Sequence, residues 1–370
     1  MRTADRKAAT NISFTDNEKT KDMSQQIIPS KNLHEELSAL CTSQYDRIFV
    51  LTDVTTAELC RPLLADCPVL REAKDIVIAP TDTHKTVETL SHVWKALGDG
   101  GASRHSLLIN LGGGMVTDLG GFAAATFKRG IDFINIPTTL LAMVDAAVGG
   151  KTGINFNGLK NEVGVFREAV AVLIDTCFLK TLDEGNLRSG YAEMLKHSLL
   201  ESADMWADHL TFDLDRPDYV RLQELVAANI EVKKRIVTED PCEKGIRKAL
   251  NLGHTMGHAF ESMALEDGRP VFHGYAVAWG LACELYLSAV LKGFPVECMR
   301  QTVRFIRENY GALPFTCDCY EQLYAYMKHD KKNVGGQINF TLLGEIGDIR
   351  IDCHATKEQV FEAFDFLREA

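Results

Sequence analysis

Three of the 11 histidines in this 370-residue chain lie close together, at positions 254, 258 and 273. His254 and His258 are four residues apart, so a helix would place both imidazoles on one face, where a divalent metal can take two ligands. His273 is followed by Gly274, which lets the backbone come close to an ion. A zinc-protease helix requires Glu directly after its first His, and Thr255 stands there, which excludes that class. Satisfied core histidines are the alternative interpretation, but three around one turn favour a metal site.

A carboxylate that could complete this site lies earlier in the chain. Glu193 has small or apolar residues on both sides, and Lys196, three positions later, shares its face of a predicted helix. A surface ion pair is the ordinary explanation for that spacing. The apolar neighbours instead favour a buried carboxylate, which with two of the histidines would form a three-ligand site with a position open for water or substrate.

Two further segments have features of anion binding. The glycines from Gly112 to Gly114 follow a predicted strand and precede an Ala-rich helix predicted over 122–127, so their amides could approach a pyrophosphate at a helix N-terminus. The usual dinucleotide fingerprint is not met, because Thr117 stands where its third glycine should be, and a plain tight turn is an equal alternative. Asp145 and Lys151 lie in an apolar, glycine-rich run, where a lysine usually meets a carboxylate or a ligand phosphate.

The elements that would position these residues follow from hydrophobic periodicity. Short β-branched runs at 47–52, 75–79, 106–110, 133–136 and 170–174 alternate with helical stretches. That alternation predicts a parallel sheet covered by helices, with ligands at the carboxyl ends of the strands, where Asp53, Gly112 and the Pro137-Thr138-Thr139 segment lie. Long helical periods replace this pattern after about residue 181. We predict a disordered arm over 1–22, a Rossmann-like α/β domain over 23–180, and a mainly α-helical domain over 181–370 that contains the candidate metal ligands.

Composition restricts the function classes. A formal net charge of −11 argues against nucleic acid or an anionic membrane as a partner. The 46% apolar and 25% charged content is that of a globular protein, and no apolar run approaches the roughly 20 residues of a membrane span. Ten cysteines without a Cys-x-x-Cys pair, in a chain without a secretory leader, favour reduced thiols in a cytoplasmic protein.

A series of motifs in one order makes a resemblance specific. They are Gly112-Gly-Gly-x-x-x-Asp118, Arg129-Gly130, Pro137-Thr-Thr-Leu-Leu141, Asp145 with Gly149-Gly-Lys-Thr152, Lys160-Asn161, Gly190-x-Ala-Glu193, Leu250-Asn-x-Gly-His-Thr-x-Gly-His258, His273-Gly274 and Asp330-Lys-Lys332. With them the chain resembles the 3-dehydroquinate synthase family of sugar phosphate cyclases, which is related to metal-dependent glycerol dehydrogenases. One departure is Thr81-Asp82 ahead of Lys85, where the family usually has Gly-Glu; Asp82 can still accept from a ribose hydroxyl, with a shorter reach.

The resemblance implies a role for each matching residue. The metal ligands would be Glu193, His254 and His273, with zinc the expected ion and cobalt its alternative. NAD would contact Asp53, Asp82, Lys85, Gly113, Gly114, Met115, Val116, Asp118, Thr138, Thr139, Lys151, Lys160, Phe178, Thr181 and Leu182. The substrate would contact Arg129, Asp145, Lys151, Asn161, Lys196, Lys233, Arg247, Asn251, His258 and one of Lys331 or Lys332, of which we choose Lys331. The catalytic residues would be Glu243, His258, Lys151, Arg247 and Asn251, with Glu243 and His258 as proton-transfer groups.

The reaction that the resemblance implies is closure of 3-deoxy-arabino-heptulosonate 7-phosphate to 3-dehydroquinate with loss of phosphate, while NAD takes and then returns a hydride. The phosphorylated sugar acid would be met by the clustered cations, and a homodimer is the family expectation. Three alternatives remain open. They are a sister cyclase acting on a heptulose 7-phosphate, a glycerol-type dehydrogenase that releases NADH, and a metal-stabilised NAD-binding protein without turnover.

Overall fold

The computed structural model describes residues 25–41, 44–157, 159–328 and 337–369. The predicted arm over 1–22 and the substrate-binding candidate Lys331 therefore lie outside the described residues. The strands are β1 (Gln26–Pro29), β2 (Ile48–Asp53), β3 (Lys74–Ile78), β4 (Leu107–Gly112), β5 (Asp132–Pro137), β6 (Lys151–Phe156), β7 (Leu159–Phe166), β8 (Ala171–Ile174), β9 (Phe340–Leu343) and β10 (Ile349–Cys353).

Six of these strands form one parallel sheet in the order β1-β8-β5-β4-β2-β3. All six residues of β4 are buried, as expected for the apolar run of a central strand covered on both faces. From β2 the chain moves outward to β3 in one direction and to β4, β5 and β8 in the other. The order therefore reverses between β2 and β4, and the crevice for a ligand at such a switch point lies beyond their carboxyl ends. Asp53 ends β2 and Gly112 ends β4.

Helices of the first half cover this sheet, and helices of the second half form a separate bundle. They are α1 (Leu33–Leu40), α2 (Val54–Leu59), α3 (Val87–Asp99), α4 (Gly114–Thr126), α5 (Glu184–Glu201), α6 (Ala203–Leu210), α7 (Tyr219–Glu239), α8 (His254–Glu266), α9 (His273–Lys292), α10 (Val296–Tyr310), α11 (Tyr320–Lys328) and α12 (Lys357–Glu369). Short 3₁₀ helices lie at Arg61–Leu64, Pro68–Leu70, Asp82–His84, Phe127–Arg129, Thr176–Thr181, Ile246–Asn251 and Cys317–Cys319, and a π-helix at Ala142–Ala146.

Helix α9 is the centre of the second half and packs against α5, α8, α10, α12 and β9. By length and composition alone it could cross a membrane, but 72% of its most apolar window is buried inside the protein. A hydrophobic all-round pattern is also that of a central bundle helix, and the packing of α9 is of this second kind.

The approach of α8 to α9 depends on small residues. Gly253, which precedes α8, has φ 80° in the left-handed region. A Cβ placed on Gly280 of α9 would lie 1.9 Å from the carbonyl oxygen of Gly253, so only glycine permits this distance between the two backbones. His254 and His273, the candidate metal ligands of this region, are the first residues of α8 and α9. The close contact between the two helices therefore fixes the backbone positions from which the two imidazoles extend.

The predicted fold class is confirmed, with two local corrections. Helix α4 begins at Gly114, eight residues before the Ala-rich stretch at 122–127 that was predicted to be helical. The antiparallel hairpin of β6 and β7 was not predicted at all. All eight residues of β7 are exposed, so this strand has no buried face whose alternation could identify it. The predicted domain boundary at residue 180 lies just before α5 and stays a prediction.

Candidate active site

Glu193, His254 and His273 come together between three helices. Their ligand atoms all lie within 4.8 Å of one another. Nε2 of His254 is 3.2 Å and Nε2 of His273 is 3.5 Å from Oε1 of Glu193. Tetrahedral zinc with bonds of about 2.1 Å would separate its ligand atoms by about 3.4 Å. Both distances from Glu193 Oε1 are close to that value, so the group is a candidate site for an ion of this size.

The other nitrogen of each imidazole has an acceptor that fixes the ring. Nδ1 of His254 lies 3.1 Å from the carbonyl oxygen of Leu252, and Nδ1 of His273 lies 3.4 Å from a carboxylate oxygen of Glu261. Since a carbonyl or carboxylate can only accept, both Nδ1 atoms carry the proton, and both Nε2 atoms face Glu193. Although burial opposes its charge, the nearby carboxylates of Glu193 and Glu261 raise the pKa of His273 to about 10, so this ring must release a proton before it can bind a metal.

Glu193 itself is fully buried on α5. Its carboxylate forms an ion pair with the ammonium of Lys196, one helical turn away and also buried. Burial favours the neutral acid, but the charges of Lys196 and His254 hold the pKa of Glu193 well below its usual value. Neither carboxylate oxygen has a well-oriented hydrogen bond from a described residue. A buried, ionised oxygen that receives no such bond is a suitable metal ligand.

Asp145 and Lys233 form a second ion pair beside the first, in which Lys233 is buried and Asp145 is half-buried. Asp145 belongs to the π-helix Ala142–Ala146, a rare conformation that is frequent at functional sites. Nζ of Lys233, on α7, forms an ion pair with the Asp145 carboxylate and donates to the Asp145 carbonyl oxygen at 2.5 Å. Burial opposes ionisation here, yet the Lys233 charge lowers the pKa of Asp145 below its ordinary value. The pair thus places one cation and one anion next to Glu193.

Lys151, Glu243, Arg247 and Asn251 form the third group. Glu243 accepts a hydrogen bond from Asn251 Nδ2 at 3.1 Å with one oxygen and pairs with the Lys151 ammonium with the other. Arg247 is 2% exposed. It donates to the carbonyl oxygens of Pro241 at 2.6 Å and Gly149 at 3.1 Å. Two cations and a carboxylate therefore converge where the hairpin meets the 3₁₀ helix that precedes α8.

The cofactor candidates gather at the carboxyl edge of the sheet. Helix α4 starts at Gly114, and its N-cap, Gly113, has no side chain to satisfy the first amides of the helix. A 13-residue helix with exposed first amides favours an anion such as pyrophosphate. Nζ of Lys85 donates to Asp118 at 2.6 Å and to Asn161 at 2.5 Å. These contacts join three of the predicted cofactor and substrate residues across 76 positions of the chain.

Several other cofactor candidates already have structural contacts. Asp53 caps α2 by accepting from the amide of Thr56 at 2.8 Å. The amide of Thr138 donates to the carbonyl of Gly112 at 3.0 Å, and Oγ1 of Thr139 accepts from the amide of Ala142 at 3.2 Å. Val116 and Phe178 are buried, whereas Met115, Thr181 and Leu182 are half-buried near the ends of their elements. Their contact with NAD stays a prediction.

Comparison with known proteins identifies the family. Residues 75–189 match the family model for the N-terminal part of 3-dehydroquinate synthase, and residues 190–333 match that for its C-terminal part. A 3-dehydroquinate synthase from Parabacteroides distasonis is 55% identical over 94% of this chain and 98% of its own. This chain belongs to the 3-dehydroquinate synthase family. The predictions of that family and of an enzyme are therefore confirmed.

A further relative and two solved structures are more distant. A 3-dehydroquinate synthase from Corynebacterium diphtheriae is 40% identical over 79% of this chain and 81% of its own. A solved 2-epi-5-epi-valiolone synthase from Streptomyces hygroscopicus, with NAD⁺ and Zn²⁺ bound, has a TM-score of 0.80 and is 25% identical, covering 100% of this chain and 99% of its own. Glycerol dehydrogenase from Schizosaccharomyces pombe, at 14% identity and a TM-score of 0.64, covers 93% of this chain and 89% of its own and shares the fold.

Arg129 is the family-motif residue that the fold does not bring to the others. It lies before β5, whereas the glycine loop lies beyond the carboxyl end of β4, the neighbouring parallel strand. Six residues of strand separate these edges by roughly 16 Å. A motif shows order along the chain but not the edge of the sheet at which each residue stands. The substrate role of Arg129 stays a prediction, and within one chain Arg129 lies at the edge of the sheet opposite the glycine loop.

Sequence analysis missed three side chains near the candidate site. Glu261 is seven residues after His254, so the helical period that paired the histidines could also have identified it. Asn155 on β6 donates to both the carbonyl and the carboxylate of Asp82, at 3.0 and 3.1 Å. His197 is fully buried, one turn after Glu193, and burial lowers its pKa to about 3. Sequence alone could not identify Asn155 or His197, because the contacts of Asn155 and the burial of His197 depend on residues that are distant in the chain.

Proposed function

We propose that this enzyme is a 3-dehydroquinate synthase, which converts 3-deoxy-arabino-heptulosonate 7-phosphate to 3-dehydroquinate and phosphate with NAD and a divalent metal. The observation that carries the proposal is the convergence of a Glu-His-His ligand group with buried lysines and an arginine, next to an anion-binding helix start. The Parabacteroides relative supports the same product by its name.

Glu193, His254 and His273 would hold the metal, with zinc as the first choice and cobalt as the alternative. The ligand set of two imidazoles and one carboxylate suits zinc, and the 3.2 and 3.5 Å separations agree with its bond lengths. When bound, the ion supplies polarisation of a substrate hydroxyl and carbonyl. His258 is half-buried beside both imidazoles, with ring centroids 5.4 and 6.0 Å away, and would contact the substrate instead.

NAD would occupy the crevice between the carboxyl ends of β2 and β4. The amides at the start of α4 would receive its pyrophosphate. Asp53 and Asp82 are suitable acceptors for ribose hydroxyls. Lys85 and Lys160 would compensate the negative charge of the NAD phosphates. The predicted contacts of Gly113, Gly114, Asp118, Thr138 and Thr139 are supported by their positions at this same edge.

The phosphate and carboxylate of the substrate would meet the cations on the other side of the metal. They are Lys151, Lys196, Lys233 and Arg247, with Asn161, Asn251 and Lys331 as further polar contacts. Arg247 has one orphaned buried donor, Nε, that no described residue accepts. A substrate oxyanion could take that hydrogen bond, which a neutral sugar would satisfy less well.

Protons would be moved by Glu243 and His258. Glu243 is positioned on both oxygens, by Asn251 and by Lys151, so its orientation toward the substrate is fixed before binding. The Lys151 ammonium also favours the ionised carboxylate, as a proton acceptor requires. We propose that residues 23–180 bind NAD and that residues 181–370 supply the metal ligands and most substrate contacts.

A homodimer is part of the proposal. The exposed strand β7 has one edge without a strand partner among the described residues, and it carries Val163, Val165 and Phe166 at 39, 40 and 60% exposure. A second copy could cover this surface and could also present Arg129 to a neighbouring site. Phe166→Asp should then yield monomers in sedimentation equilibrium, whereas Val220→Asp, at another exposed apolar residue, should not. Dimers that survive Phe166→Asp exclude this interface.

We also propose a cytoplasmic location. All ten cysteines lie within the described residues and none is in a disulfide.

Phosphate release from 3-deoxy-arabino-heptulosonate 7-phosphate, followed together with NADH absorbance, tests the reaction. Stoichiometric phosphate without accumulating NADH is expected, because the hydride returns within the site. NADH without phosphate would indicate a dehydrogenase, and no turnover would indicate a sister cyclase with a different heptulose phosphate.

Glu193→Ala tests the site. It should abolish metal binding and activity while NAD binding remains. Glu201→Ala, on the same helix but paired with Arg235, is the matched control and should keep both.

A further inference from the structure

Glu261 connects two parts of the candidate site that come from different halves of the chain. It lies on α8, on the helical face that carries His254 and His258, and its side chain is 12% exposed. One carboxylate oxygen lies 3.4 Å from Nδ1 of His273. The other accepts from Nζ of Lys160 at 2.7 Å. The two oxygens thus join a candidate metal ligand on α9 to the β6–β7 hairpin.

The contact with His273 fixes the orientation of that imidazole. Because a carboxylate can only accept, Nδ1 donates and Nε2 faces Glu193 at 3.5 Å. A carboxylate behind a metal-bound histidine makes it more basic and prevents ring rotation. The orientation of His273 toward an ion therefore depends on Glu261, which contacts the ring nitrogen that does not face Glu193.

The contact with Lys160 joins the hairpin to α8. β6 and β7 pair only with each other among the described strands, so no ladder bonds join them to the main sheet. Lys160 is on β7, and its ammonium also lies 3.7 Å from the carboxylate of Asp82, one of the cofactor candidates. Any movement of the hairpin toward or away from a dinucleotide would move the Lys160 ammonium relative to Glu261.

We propose that Glu261 is a positioning residue that couples the metal site to the dinucleotide site, by orienting His273 with one oxygen and Lys160 with the other. This inference rests on the proposed function, in which His273 binds the metal and Lys160 contacts NAD. Metal binding then favours the hairpin position that NAD requires, and NAD binding favours the imidazole orientation that the metal requires. By linkage the two effects are equal in magnitude.

Zinc affinity tests the first contact. Glu261→Gln keeps the shape but loses the charge, and it should raise the Kd for Zn²⁺, measured by competition with a chromophoric chelator, about 10- to 100-fold. The absorption spectrum of bound Co²⁺ should change as well, because the ligand field changes. The matched control is Glu266→Gln at the end of the same helix, which contacts Gln322 and Tyr326 instead and should leave both readouts unchanged.

NAD affinity tests the second contact. In the unaltered protein, Zn²⁺ should lower the Kd for NAD by a factor in the range of about 5 to 150. In Glu261→Gln and in Lys160→Met that factor should fall toward one, and the double variant should show no further loss. Lys160 is 47% exposed, so its substitution keeps the proposal testable even if Glu261→Gln folds poorly.

The outcomes separate this inference from the proposed function. Zinc binding that survives Glu193→Ala would overturn the metal site and the inference with it. Zinc binding that is lost in Glu193→Ala but stays within about twofold of normal in Glu261→Gln would overturn the positioning role alone. If Zn²⁺ lowers the Kd for NAD by the same factor in Lys160→Met as in the unaltered protein, the coupling is overturned.

Discussion

Glu284→Gln should destabilise the protein through the start of α8. Glu284 is on α9, fully buried, and accepts from the amides of Gly253 at 2.6 Å and Met256 at 3.1 Å. Helix α8 has no side-chain cap of its own, so this carboxylate satisfies its first amides from a neighbouring helix. A glutamine offers one oxygen, and whichever way it turns, its NH₂ group faces one of the two donors.

The size of the effect follows from these two bonds. One buried amide left without an acceptor costs about 1–3 kcal/mol. Loss of a negative charge at a helix N-terminus costs about 0.5–1 kcal/mol more. We therefore expect the free energy of unfolding to fall by about 1.5–4 kcal/mol. Because His254 is the first residue of α8, zinc affinity should fall as well.

Urea denaturation followed by circular dichroism measures this change. Glu308→Gln is the matched control, because Glu308 is an exposed helix residue that pairs with Arg304, and its substitution should change stability by less than about 0.5 kcal/mol. A Glu284→Gln protein that unfolds within about 0.5 kcal/mol of the unaltered one would refute the reasoning, since two buried amides would then not need the carboxylate.

Three more changes have defined outcomes. Burial lowers the pKa of His209 to about 4, and Asn229 donates to its Nε2 at 2.8 Å. As the pH falls, the unfolded chain binds a proton at this residue before the folded protein does, so the free energy of unfolding should fall by up to about 3 kcal/mol from about pH 6.5 to 4. His209→Gln should flatten that slope in urea titrations at each pH. Gly280→Ala should cost about 1–3 kcal/mol or more in the same assay, because its methyl group meets a backbone oxygen that cannot move aside. Asn155→Ala removes its bonds to Asp82 and to the amide of Asn161, and the Kd for NAD in isothermal titration should rise about tenfold, as expected for roughly 1.4 kcal/mol; an unchanged Kd would separate this loop from the cofactor site.

The sequence was sufficient for five of the six strands of the main sheet, all except β1, whereas the roles assigned to the site residues stay predictions. Strands such as β4 are continuous apolar runs, and their period is visible without any tertiary information. Spacing alone could not decide which two histidines bind the metal. The four-residue interval kept His258 as a candidate, and only the resemblance favoured His273. The structure groups Glu193 with His254 and His273, with which that choice agrees.

What the sequence could not supply depends on contacts between distant residues. The role of Glu284 could not be predicted, because it depends on the amides at the start of a helix 31 positions earlier. Strand β7 has no buried face, and the π-helix at Asp145 has no distinctive composition. Arg129 matched a motif, but its edge of the sheet became visible only with the strand order.

The lysines at the site are already neutralised within the protein. Each forms an ion pair with a carboxylate: Lys151 with Glu243, Lys160 with Glu261, Lys196 with Glu193 and Lys233 with Asp145. An arriving anion must therefore exchange with an internal carboxylate, so its affinity is a difference between two sets of contacts. Simple anions such as sulfate should be poor competitors, because one small dianion cannot reach and displace several separate pairs together. The same exchange reforms the internal pairs when phosphate leaves, which favours the release of product over its retention.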